Sequence, residues 1–277
     1  MKIINNYKYP NIIKYPLIKN NIQMSFTEPL NGLDIGIPLN IFQNIFTNLH
    51  YGYDIASIKS TGIQFLLGYY IYGKDRYNDA IDYINDPYET EKEDFYKSLY
   101  ENRNLYDITF NLTFLAIICL LLNENNVNNV IYNLPFIPLI YINGEYKNFK
   151  KQLDIFKPLY IGISWTIASI IIPCVLYEHN YDILNYPADY IPCILTLFST
   201  SNFADTRDID EDRIKNINTI PVKFGKKYSN IISFIALIIS SILLIENPNY
   251  ELRPIVNSIV EFQNFAIMGI LYNNTFN

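Results

Sequence analysis

The chain has 277 residues, of which half are apolar, 17% are charged and 16% are aromatic, with 25 Tyr and 17 Phe. That apolar and aromatic load needs either a very large core or a bilayer to absorb it. The net charge of −6 and the lack of any basic run longer than Lys150-Lys151 or Lys226-Lys227 argue against nucleic acid, whose phosphates require clustered Lys and Arg.

Residues 1–36 form a polar N-terminal segment in which Lys, Asn and Tyr interrupt the Ile residues. The first 20 residues hold no continuous apolar stretch, which argues against a cleaved signal peptide. Residues 37–277 read as one domain. Within it, apolar runs cover residues 37–49, 55–72, 108–122, 127–142, 159–177, 190–203, 229–245 and 255–272. Spanning helices take roughly 17 to 25 residues, and several of these runs approach that length. None alternates like a half-buried strand, so the pattern predicts an all-α, multi-pass membrane protein with seven or eight spans. Asn-, Gly- and Pro-rich breakers separate the runs at 123–129, 143–144, 178–187 and 246–254. Cys119, Cys174 and Cys193 lie inside apolar runs without a CxxC spacing and read as small buried hydrophobes, not as a disulfide or zinc framework. With only two histidines, a His-based triad has little support.

Two long polar interruptions, residues 74–104 and 205–227, each follow an apolar run and carry the densest Asp content. Asp79, Asp82 and Asp86 are spaced i, i+3 and i+7, as are Asp205, Asp208 and Asp212. On a helix that spacing stacks three carboxylates on one face, where like charges destabilise it. One such cluster alone reads equally as a solvated helix end. Two of equal spacing, both followed by basic residues, point to a shared cation. Mg²⁺ suits the arrangement, since it takes oxygen ligands octahedrally through one or two carboxylates plus waters and substrate phosphates.

The motifs resemble those of the UbiA superfamily of intramembrane prenyltransferases. The first family motif, NDxxDxxxD, is met by Asn78, Asp79, Asp82 and Asp86. The second, DxxDxxxD with a following basic residue and TLPV-type segment, is similar to Asp205 through Arg213 followed by Thr219-Ile220-Pro221-Val222. Tyr146 to Lys150 is similar to the family's YxxxK element. Glu211 and Asn216 stand where glycines are usual. The likeness spans roughly residues 55 to 245.

The resemblance implies a bundle of eight or nine transmembrane helices around a central cavity, with both Asp motifs at one membrane side. A polyprenyl diphosphate, such as farnesyl or geranylgeranyl diphosphate, would be bound there through Mg²⁺ and its prenyl group passed to a lipophilic or aromatic acceptor. On that basis Asp79, Asp82, Asp205 and Asp208 contact the metal, and Asn78, Asp86 and Asp212 complete its shell. Lys150 with Tyr146 holds the diphosphate, with Arg76, Lys157, Arg213 and Lys215 as further cationic candidates. The residues also leave open a terpene cyclase, a soluble prenyl diphosphate synthase, and a non-catalytic membrane protein that binds lipid or divalent ions.

Overall fold

The computed structural model describes residues 57–88 and 92–245, with the single positions 37, 40, 41, 264, 265, 268 and 269. The predicted apolar runs at 37–49 and 255–272, and the boundary at residue 36, lie outside the described residues apart from those positions. Among the described residues every regular element is helical.

The first helix, α1 (Ile58–Leu67), starts at Ser57, whose hydroxyl and that of Ser60 cap each other's backbone amides. It passes through a π-helical turn, Gly68–Gly73, into α2 (Lys74–Asn85), which carries the first acidic motif. Helices α3 (Glu93–Glu101) and α4 (Arg103–Leu122) follow, then α5 (Val127–Asn133) and α6 (Phe136–Gly144), separated at Pro135. The short α7 (Tyr146–Leu153) leads through a tight turn into α8 (Lys157–Thr166) and, after a second π-helical turn at Ile167–Ile171, α9 (Ile172–Glu178). Pro173 has no N–H to give to the preceding turn and its ring crowds it, which accounts for the wider turn there. The Gln64 amide donates to the Ala168 carbonyl within that turn at 2.5 Å.

The remaining elements are α10 (Pro187–Asp205), α11 (Ile209–Ile214), α12 (Ile220–Phe224) and α13 (Lys226–Ile245). Gly225, at φ +85°, makes the break between α12 and α13 in a backbone conformation that glycine adopts freely.

Among the described residues three helical stretches are long and apolar enough to cross a membrane: Arg103–Leu122, Tyr146–Glu178 and Lys226–Ile245. Twenty helical residues rise about 30 Å, the thickness of a bilayer's hydrocarbon core. On α4, Leu105, Ile108, Leu112, Leu115 and Leu122 form an exposed stripe, as do Ile232, Ile235, Ile239 and Ile242 on α13. Such faces suit lipid better than water. Cys119 falls on the α4 stripe and is exposed, contrary to the buried setting expected of it, whereas Cys174 and Cys193 are buried.

Helix α10 packs chiefly against α8 and α13. Gly162 permits the first contact, since a Cβ there would come within 2.7 Å of the Ile194 carbonyl oxygen. A polar seam joins α10 to α13: Asn202 donates to the Ser229 carbonyl at 2.9 Å and to Ser233 Oγ at 2.8 Å, and Thr196 meets Ser240 at 3.1 Å. Small polar residues bring helix backbones close and hydrogen-bond across the contact in apolar surroundings. The seam holds α10 upright, with Asp205 at its C-terminal end.

Candidate functional site

A cavity of about 900 Å³ opens where α2, α3, α7, α8, α10 and α11 converge. Its apolar lining includes Ile71, Phe95, Ile161, Trp165 and Leu197. Much of the rest of the lining is charged, with carboxylates from Asp75, Asp79, Asp205, Asp208, Glu211 and Asp212 beside cations from Arg76, Lys92, Lys150, Lys157 and Lys215.

Asp79 is the centre of the first half. Its Oδ1 accepts from Lys150 Nζ at 2.9 Å and from Lys147 Nζ, and its Oδ2 lies 3.8 Å from Lys215 Nζ. Lys150 also donates to Asp75 at 3.0 Å. Burial works to raise the Asp79 carboxyl, but Lys150, Lys147 and Lys215 outweigh it and hold the group below the usual carboxylate range. Asp82 is exposed and 2.7 Å from Lys147. Asp86 is also exposed, and lies just past the end of α2 with φ −141°. Asn78 belongs to α2 but is not among the cavity-lining residues.

The second motif does not form the single helix face that its spacing predicts. Helix α10 ends at Asp205, residues 206–207 turn, and Asp208 sits at the N-terminal cap of α11, with Asp212 inside that helix. Asp at a cap and acidic residues in a first turn are favoured by the unpaired amides and the helix dipole, so the local acidity suits a new helix start. Asp205 and Asp212 are buried. Lys157 donates to Asp205 Oδ1 at 2.7 Å, whereas Asp205 Oδ2 is buried without a hydrogen-bond partner. Thr219 donates to Asp212 Oδ2 at 3.1 Å. Burial, opposed by Lys157 and reinforced by the Asp205 charge, pushes the Asp212 carboxyl up to about 6.

The two halves therefore differ. Asp79 is fully compensated by lysines, whereas Asp205 and Asp212 share less positive charge than they need. Oxygen donors of this type, one of them orphaned, fit a hard divalent cation such as Mg²⁺. Among the described residues no three acidic side chains converge closely enough to hold a metal ion as placed; the aspartates that line the cavity, and from which such a cation would draw its ligands, are Asp75, Asp79, Asp205, Asp208 and Asp212.

Among the basic candidates, Arg76, Lys150, Lys157 and Lys215 line the cavity. Arg213 is exposed and pairs with Asp210 at 3.4 Å. Tyr146 is buried, stacks on Tyr160 with ring centroids 5.7 Å apart, and leaves its hydroxyl without a partner. Four charged residues that sequence reasoning did not assign also belong here: Asp75, Lys92, Lys147 and Glu211. Asp75 lies one helical turn before Asp79, and Lys147 lies three residues before Lys150, so helical spacing was a signal for both. Glu211 was marked in the sequence only as standing where a glycine is usual, which assigned it no role.

No family model matches the chain, and no curated protein or solved structure matches it.

Proposed function

We propose that the chain is a multi-pass intramembrane prenyltransferase, a bundle of eight or nine transmembrane helices that passes the prenyl group of a polyprenyl diphosphate to a lipophilic or aromatic acceptor, with Mg²⁺ as cofactor. The observation that carries this reading is the mixed lining of one cavity, which brings carboxylates of both acidic motifs together with the apolar side chains Ile71, Phe95, Ile161, Trp165 and Leu197. A prenyl diphosphate has the same mixed chemistry, with a charged head and a hydrocarbon tail.

Breaking the allylic carbon–oxygen bond builds negative charge on the diphosphate and positive charge on the allyl group. Mg²⁺, when bound, would supply Lewis acidity at the leaving diphosphate. The chain's own residues do the rest. Asp79, Asp205, Asp208 and Asp212, with Asp75, would hold the cation. Lys150 and Lys157 now neutralise carboxylates, and each can turn its ammonium group to a diphosphate oxygen once the carboxylates have another partner. Tyr146 can donate its unpartnered hydroxyl to the same head group. The faces of Trp165, Tyr160 and Phe95 favour a delocalised allyl cation and exclude water from it.

Lipids extracted from cells expressing the wild type and Asp79→Asn, compared by mass spectrometry, test this reading. A species carrying added prenyl mass, present only with the wild type, is expected. Identical lipid profiles would refute transfer.

A further inference from the structure

Glu211 stands one position before the last Asp of the second motif, and its carboxylate collects donors from three parts of the chain. Oε1 accepts from Lys215 Nζ at 2.7 Å, from the Tyr88 hydroxyl at 3.0 Å and from the Tyr96 hydroxyl at 3.4 Å. Oε2 accepts from Lys92 Nζ at 3.1 Å. A carboxylate offers about four lone-pair sites, and Glu211 meets four donors, three on Oε1 and one on Oε2. Asp205, with an oxygen left over, contrasts with it. Glu211 is built to hold cations, not a metal.

The cations it holds are well placed. Lys92 and Lys215 both line the cavity. Lys215 also lies 3.8 Å from Asp79 Oδ2, so its ammonium group spans the two acidic motifs. Lysine stems are long and lose much rotational freedom when ordered. An anchor that fixes both ammonium groups before the ligand arrives lowers the cost of binding an anion between them.

We infer that Glu211 is a positioning residue for the head-group subsite, fixing Lys92 and Lys215 at the cavity wall so that both are presented to the diphosphate. The inference rests on the prenyl diphosphate reading and deepens it.

Two effects of Glu211 have opposite signs, which makes the role testable. If Glu211 acted only as one more negative charge in the cavity, its removal would strengthen the binding of an anion. If it positions the lysines, removal weakens binding. The full chain in detergent micelles, titrated calorimetrically with inorganic diphosphate at saturating Mg²⁺, separates the two. Glu211→Gln keeps an acceptor oxygen for Tyr88 and Tyr96 but not the charge, and affinity is expected to fall about tenfold, the scale of one lost charge-assisted contact. Glu211→Asp keeps the charge on a shorter stem and is expected to bind as weakly. In a Lys92→Gln/Lys215→Gln background, Glu211→Gln should cost little more, because there is nothing left to position. Unchanged or tighter binding by Glu211→Gln, wild-type affinity in Glu211→Asp, or an undiminished loss in the lysine-free background would each overturn the assignment. A wild type that binds no diphosphate would instead sink the prenyl diphosphate reading on which it stands.

Discussion

Replacing Lys157 by Met probes how the charged lining is held together. Lys157 donates to Asp205 at 2.7 Å, and the two side chains are only 13% and 7% exposed. Methionine keeps the length and apolar stem of lysine but leaves Asp205 buried with one oxygen stripped of its partner and the other already without one. Removing one member of a buried pair typically costs about 3 to 5 kcal/mol, because the remaining charge is uncompensated. Partial exposure toward the cavity places the expected loss at the lower end, about 3 kcal/mol. The assay is unfolding of the full chain in mixed micelles with EDTA, followed by helical circular dichroism. The double variant Lys157→Met/Asp205→Asn should recover most of the loss, since a neutral amide needs no counter-charge. Added Mg²⁺ should stabilise Lys157→Met more than the wild type, because no ammonium group competes for Asp205. Wild-type stability in Lys157→Met, or a double variant no better than the single, would refute the reasoning.

Further outcomes follow from the same geometry. Gly162→Ala would set a methyl group 2.7 Å from the Ile194 carbonyl oxygen and 3.2 Å from the Phe198 nitrogen, so α8 and α10 must separate. A destabilisation of about 1 to 3 kcal/mol is expected, read in the same unfolding assay, together with a weaker Lys157–Asp205 contact. Asp212, whose pKa is raised to about 6 by burial against the opposing pull of Lys157, binds a proton more tightly in the folded chain than in the unfolded one. Through this group the metal-free protein gains stability as pH falls from above 6 toward the unfolded carboxylate value near 4. Affinity for Mg²⁺ should move the other way, tightening as pH rises through the same window, because the cation needs the ionised carboxylate. Asp212→Asn should flatten both profiles between pH 4 and pH 6 (roughly the window in which this carboxyl titrates), and unchanged profiles would show that another group titrates there.

Much of the helical framework was legible in the sequence, for reasons that differ by element. Helix α4 was plain because residues 108–122 are apolar almost without interruption and α13 because residues 229–245 are as well. The break at Pro135 divides the run read as 127–142 into two helices, as a residue without an N–H can, and the break at Gly225 falls inside a segment read only as polar. The end of α10 at Asp205 was not legible: neither Gly nor Pro marks it, and the i, i+3, i+7 spacing continues across the turn. That spacing made one helix face of what is a helix end followed by a new helix starting after Asp208.

The site divides in the same way. Asp79, Asp205 and Lys150 were named from the motifs that carry the resemblance and Lys157 as a further cationic candidate, and all four line the cavity. Their pairing was not legible, since contacts such as Lys150 to Asp75 and Asp79 join residues more than 70 positions apart. Nothing local to α7 indicates which acid its lysines meet. Glu211 was hidden among neighbouring acids whose shared feature is a favourable place at a helix start, and its donors come from α3, the segment before it, and the end of its own helix.

The proposed function requires the charged lining of the cavity to handle a prenyl diphosphate with the help of Mg²⁺. The most direct measurement is release of inorganic diphosphate from geranylgeranyl diphosphate by the purified full chain in lipid nanodiscs, with a membrane lipid extract supplying the acceptor. Release should require Mg²⁺, stop on chelation, and fall at least a hundredfold in Asp79→Asn and Asp205→Asn, about the 2.7 kcal/mol that one lost transition-state contact supplies. Release that is absent from the wild type, or equal in the wild type and both variants, would contradict the account.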